Sequence, residues 1–130
     1  MRRILLDTNV LIRFLRGDEP MSDRIVTADV VIVHPIVAAE FVNGLNPKSS
    51  KDVAARKGLE EFLDAPVVDS IAVTTSTSVY YTKIYRHLKE HGEMIPQNDI
   101  WLAASAIENG LELLTHDSHF SRIPMLNVFE

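Results

Sequence analysis

Four acidic residues spread along the 130-residue chain have neighbours that suit them for metal or acid–base chemistry: Asp7, Glu40, Asp99 and Asp117. Asp7 closes the apolar run Ile4-Leu5-Leu6 and is followed by Thr8 and Asn9, both helix-capping residue types. That pattern describes a buried strand carrying an acid at its tip, then a helix turning back. Glu40 falls a turn or two into a helical pattern opened by Pro35, and Asp99 lies in the first turn of another opened near Pro96. Asp117 follows the apolar stretch 111–114 by three residues. Singly, each has an ordinary reading: a helix cap, a solvated helix acid, a helix-dipole partner, a loop acid bonding its own backbone. Brought together they mean something else. Two carboxylates roughly 4 Å apart repel by about 4 kcal/mol at an effective dielectric near 20. Several of them in one place either take up protons or hold a cation. An all-oxygen ligand set favours Mg²⁺ or Mn²⁺ over zinc.

Such a gathering requires that strand ends and helix starts share one edge. The spacing predicts a helix over residues 10–16, capped by Thr8 or Asn9, with Val10, Leu11, Phe14 and Leu15 inward. A short helix follows over 20–28, then a strand over 30–33 whose unbroken β-branched character suggests burial on both faces and a parallel sheet. The helix from Pro35 ends at Gly44. Another reaches about residue 65, with Val53, Leu59, Phe62 and Leu63 inward, and Val67-Val68 forms a short strand. A helix over 74–91 places Val79, Ile84 and Leu88 on one face, flanked by Tyr80, Tyr81 and Tyr85. The next runs from 96 to 107, closed by Asn109-Gly110, followed by a strand at 111–114, a polar loop at 115–121 and an edge strand at 126–129. Strands alternating with helices in this way imply right-handed crossovers and a three-layer α/β/α fold, a central, mostly parallel sheet flanked by helices. The expectation is a single domain over 1–130. In such a sheet ligands bind outside the carboxyl ends of the strands, which is where all four acids arrive.

The charge balance, 18 acids against 13 bases, is the wrong sign for a chain that holds nucleic acid by overall charge. Any phosphate contact must then come from local groups: Arg13 and Arg16, the set Lys48, Lys51, Arg56 and Lys57, or Lys83, Arg86 and Lys89. The absence of cysteine removes disulfides, thiolate metal sites and thiol nucleophiles. No apolar run approaches the roughly 20 residues of a membrane span. Asp7 interrupts the first apolar run too early for a signal-peptide core, so a cytoplasmic location is expected. His116 and His119 flank Asp117, but no third histidine or cysteine completes a zinc set, and both read as polar loop residues. His34 reads as a helix entry or a rim residue, His87 and His91 as the solvent side and end of a helix, and Trp101 with the tyrosines as packing.

The ordered set Leu6-Asp7-Thr8-Asn9-Val10-Leu11-Ile12, the helical Glu40, Pro96-x-x-Asp99-x-x-Leu102-Ala103-Ala104-x-Ala106, Asn109-Gly110-Leu111 and Leu114-Thr115-x-Asp117-x-x-Phe120 resembles the PIN domain. In detail it is similar to the VapC toxins of toxin–antitoxin pairs, over essentially the whole chain. The resemblance implies a ribonuclease in which Asp7, Glu40, Asp99 and Asp117 coordinate Mg²⁺ or Mn²⁺ and a metal-activated water attacks an RNA phosphodiester. It implies a small VapB-type antitoxin, a homodimer, and a higher hetero-oligomer when the two assemble. Thr8, Asn9 and Thr115 are supporting candidates, and Asn98 stands where some relatives carry a further acid. Other readings share parts of the pattern: a PIN-type RNA-processing nuclease without an antitoxin, a haloacid-dehalogenase-like phosphatase, and a non-catalytic RNA-binding module. The phosphatase wants a second acid two residues after the first, where this chain has Asn9.

Overall fold

Ile4, Leu5 and Leu6 are entirely buried, which marks their strand as the middle of a sheet. The computed structural model describes residues 1–129. In chain order the elements are β1 (Arg3–Leu6), α1 (Thr8–Leu15), α2 (Glu19–Ile25), β2 (Val30–Ile32), α3 (Pro35–Asn43), α4 (Ser50–Leu63) and β3 (Val68–Asp69). Then come α5 (Thr75–Glu90), α6 (Gln97–Asn109), β4 (Glu112–Leu114), a 3₁₀ turn (Ser118–Arg122) and β5 (Asn127–Phe129). The strand order is β3-β2-β1-β4-β5. Every pairing is parallel, where the sequence suggested only a mostly parallel sheet. Leu5 lies opposite Ile32 on one side and Leu113 on the other, while Leu6 lies opposite Leu114. From β1 the chain steps outward to β2 and β3, then returns across β1 to lay down β4 and β5. With right-handed crossovers this places α1 to α4 on one face and α5 with α6 on the other. The strand order reverses between β1 and β4. That reversal opens the crevice in which doubly wound sheets bind ligands.

Several boundaries differ from the pattern-based expectation. Helix α1 begins at Thr8, and its cap is Asp7 rather than Thr8 or Asn9. In α4, Leu59 is buried and Phe62 stacks obliquely on Phe14 at 4.9 Å, but Val53 and Leu63 face solvent. In α5 the buried stripe is Thr77, Ile84 and Leu88, and Val79 is more than half exposed. Thr77 sets that register: its hydroxyl donates to Glu108 at 2.7 Å and accepts from the Thr74 amide at 3.0 Å, tying α5 to α6. An apolar count cannot see a threonine used this way. Tyr81 packs on Trp101 at 4.2 Å across the same contact, as a packing role for both requires. Within the expected loop at 115–121 a 3₁₀ turn forms over Ser118–Arg122, and Phe120 pins it to the core at 1% exposure. Among the described residues no helix is long and apolar enough to cross a membrane.

Candidate metal centre at the switch point

The crevice between β1 and β4 is built by two residues that follow those strands. The Asp7 amide donates to the Leu114 carbonyl at 3.1 Å, extending the β1–β4 pairing one residue past the end of β1. This fixes the Asp7 backbone where the chain leaves the sheet. Asp7 is 7% exposed, and its carboxylate accepts from the Thr8 amide at 2.8 Å and from the Thr115 hydroxyl at 2.7 Å. Capping and site roles are therefore compatible in one side chain. Thr115, buried directly after β4, also accepts from the Asp117 amide through the same oxygen at 3.0 Å. One hydroxyl thus holds Asp7 and the backbone of Asp117 in fixed relation. Across the crevice Thr8 donates to Glu40 at 3.0 Å, drawing the α3 side chain towards the start of α1.

Asp99 enters from the first turn of α6, where it makes no side-chain cap. Burial pushes its pKa up to about 6, reinforced by the negative charges of Asp7, Asp117 and Glu40 against an opposing contact from His119. Asp7 is raised as well, first by burial and then by Asp117 and Glu40, while its bonds from Thr115 and Thr8 pull the other way. The four acids named from the sequence are therefore close enough to repel one another. Among the described residues no lysine or arginine forms an ion pair with any of them.

His119 belongs to this group, although its sequence context marked it only as a polar loop residue. Its Nδ1 lies 3.3 Å from Asp117 Oδ1 and 3.6 Å from Asp99 Oδ2, shielded from solvent and without a hydrogen bond. Asp99, Asp117 and His119 can each direct a ligand atom to within 4.8 Å of the others. An orphaned buried nitrogen beside mutually repelling carboxylates fits a divalent cation. The only sequence signal for His119 was its position two residues beyond Asp117. Asn9 is exposed and lines a shallow cleft with Arg13, Arg16, His116 and Asp117. Asn98 is exposed and uncharged.

His34 does not reach the metal centre. It is completely buried, accepts the Ile36 amide at Nδ1 (3.0 Å) and so must carry its proton on Nε2, donated to Ser105 at 2.9 Å. It caps α3, and burial lowers its pKa to about 4.

Comparison with known proteins agrees with this architecture. The family model of the PIN domain matches residues 4–126. Ribonuclease VapC5 of Mycobacterium tuberculosis is 26% identical over 121 residues, covering 92% of this chain and 86% of its own. Ribonuclease VapC1 of Methanocaldococcus jannaschii is 27% identical over 122 residues, covering 93% and 81%. Among solved structures, VapBC2 from Rickettsia felis bound to a promoter DNA fragment superposes with a TM-score of 0.86 at 24% identity, over 98% of this chain and 97% of its own. A family match spanning nearly the whole chain, on a parallel sheet with its acids at the switch point, assigns it: the chain belongs to the PIN domain family.

Proposed function

We propose that this chain is a divalent-metal-dependent endoribonuclease acting as the toxin of a type II toxin–antitoxin pair. The observation that carries the reading is the crevice itself, where Asp7, Glu40, Asp99 and Asp117 crowd together with no lysine or arginine paired to them among the described residues. These four side chains would hold Mg²⁺ or Mn²⁺. A bound ion of this kind acidifies its water and offsets charge on the phosphoryl and leaving oxygens. The protein's own contribution is positional. Thr115 and the Thr8 amide lock the Asp7 carboxylate, and the Thr8 hydroxyl orients Glu40. Arg13 and Arg16 line the cleft beside Asp117 and would receive phosphates flanking the scissile bond. Asn98 brings no negative charge where some relatives carry a further acid, which weakens the case for a second tightly held ion.

The matched relatives named as VapC ribonucleases support RNA as the substrate. Solved VapBC assemblies of the same fold support pairing with a small VapB-type antitoxin. A cytoplasmic location, a single nuclease domain, a homodimer and a larger assembly with antitoxin belong to the same proposal. Exposed Val79 and Tyr85 on α5, with Met125 near β5, offer apolar surface for self-association.

The test is incubation of purified protein with single-stranded RNA and with a phosphomonoester, each with Mg²⁺, with Mn²⁺ and with a chelator. RNA cleavage dependent on the metal is the expected result. Phosphate release without RNA cleavage would overturn it in favour of a phosphatase, and RNA binding without any product would leave only a binding module. Growth arrest on expression, relieved by the protein encoded beside it, tests the toxin role.

A further inference from the structure

His119 is carried by a turn whose direction is fixed from two sides. Phe120 anchors the turn in the core, and the His119 amide donates to Asp117 Oδ1 at 2.9 Å. With the backbone held, the ring lies over the acids, its Nδ1 buried and unpartnered while the side chain as a whole is 37% exposed. A histidine beside two carboxylates would ordinarily donate a hydrogen bond to one of them. Here Nδ1 is 3.3 and 3.6 Å from the nearest oxygens and is aligned for a hydrogen bond to neither. Ligands that share one ion at bonds of about 2.1 Å stand about 3.0 to 3.5 Å apart along the edges of the coordination polyhedron. The 3.3 Å separation from Asp117 falls within that range and the 3.6 Å separation from Asp99 lies just beyond it, so a small closure about an ion would bring all three ligand atoms to one coordination sphere.

We propose that His119 is a nitrogen ligand to the ion held by Asp99 and Asp117, and that it inclines the centre towards Mn²⁺ over Mg²⁺. Mg²⁺ keeps an all-oxygen shell and is reluctant to give up its waters, whereas imidazole suits transition metals. The ring binds as its neutral form, with the lone pair on Nδ1 and the proton on Nε2. Nothing in the chain's oxygen-only set of four acids would produce that preference. His116, on the other side of Asp117, is exposed and lines the cleft with Arg13 and Arg16 instead.

The proposal rests on the metal-dependent reading of the same site, and one experiment separates the two. Mn²⁺ and, separately, Mg²⁺ are titrated into wild-type protein, His119→Ala and His119→Gln, with affinities measured by calorimetry and Mn²⁺ ligation by pulsed EPR, which detects a directly bound ¹⁴N. An unchanged Mn²⁺-to-Mg²⁺ ratio in the variants would overturn the proposed preference. Folding is checked by circular dichroism, and the glutamine variant substitutes if alanine fails to fold. The expected result is a nitrogen coupling in wild type that vanishes in the variant. Mn²⁺ still binds the variant, but its affinity relative to Mg²⁺ falls by at least about tenfold, the loss typical even of an outer-shell partner. Mn²⁺ binding without nitrogen coupling, or with coupling that survives in the variant, would overturn His119 as a ligand and leave the carboxylate site standing. No Mn²⁺ binding by the folded wild-type protein would overturn both.

Discussion

Asp7 is held where its charge is least welcome. Its carboxylate is buried, faces Asp117 and Glu40, and has only a hydroxyl and an amide to stabilise it. Replacing it with the isosteric asparagine removes the unfavourable charge while Oδ1 still accepts from the Thr8 amide and the new NH2 can donate to the Thr115 hydroxyl oxygen. Asp7→Asn is therefore expected to abolish metal-dependent RNA cleavage and to raise the melting temperature of the metal-free protein by roughly a few degrees. A folded variant that cleaves RNA, or that melts lower than wild type without metal, would refute this account of the residue. His34 tests the opposite sign. Its folded pKa of about 4 lies below its ordinary 6.5. Between these values the unfolded chain binds a proton that the native state refuses, so the stability this residue contributes is lost as pH falls through the window. The stability advantage of wild type over His34→Gln, from urea denaturation without metal, should shrink steadily from pH 6.5 to pH 4. At this scale the four acids were legible because strand ends and helix first turns can be read from periodicity. His119 was not, because a loop has no period and the direction of the ring depends on Phe120 being buried behind it.

Helix α1 shows how one element can serve two sites. Its start is capped by Asp7, and Asn9, Ile12, Arg13 and Arg16 recur at the three- and four-residue spacing that puts them on one flank, all lining the same cleft. Arg13 is partly committed to Asp18 at 3.4 Å, so Arg16 is the freer of the two cations. Arg16→Ala should weaken binding of single-stranded RNA and flatten the dependence of log affinity on log salt by about 0.7, the slope of one phosphate contact on a single strand. Filter binding at several salt concentrations measures it, and an unchanged slope would remove Arg16 from the RNA path. The helix itself was plain in the sequence, though its first residue was not, since Asp, Thr and Asn in succession are all good caps. The choice among them is made by the Asp7 amide reaching Leu114 on β4, a contact 107 positions away. The same long-range logic explains α5, where the bond from Thr77 to Glu108 on α6 turns Val79 outward.

At the scale of the whole molecule, the parallel sheet was legible from the alternation of strands and helices, while the strand order was not. The last strand was expected at an edge and lies there, but the strands are only two to four residues long and mostly apolar, and no side-chain pattern says that β1 separates β2 from β4. Placing β1 between β2 and β4 sets the switch point, and the switch point concentrates charge that the fold leaves unneutralised. This ties stability to both metal and pH. Without metal, the raised pKa of Asp99, about 6 against an ordinary 3.8, means that the native state holds a proton the unfolded chain releases, so its contribution to stability falls as pH rises from about 4 to about 6. His34 contributes in the opposite direction over much of that range, which mutes the net slope of the metal-free protein. A divalent ion binds the ionised acids, so its stabilising effect must grow over the interval in which Asp99 loses its proton. At a free Mn²⁺ concentration about 100 times the dissociation constant at neutral pH, the gain is about 2.7 kcal/mol, or roughly 10 °C in melting temperature for a chain of this length. The same concentration at pH 5 should give a distinctly smaller shift, and a chelator should remove the shift at both. Scanning calorimetry with and without Mn²⁺ at the two pH values checks this. Equal shifts at both would mean that the ion binds away from Asp99, and no shift at either would mean that the crevice between β1 and β4 is not a metal site.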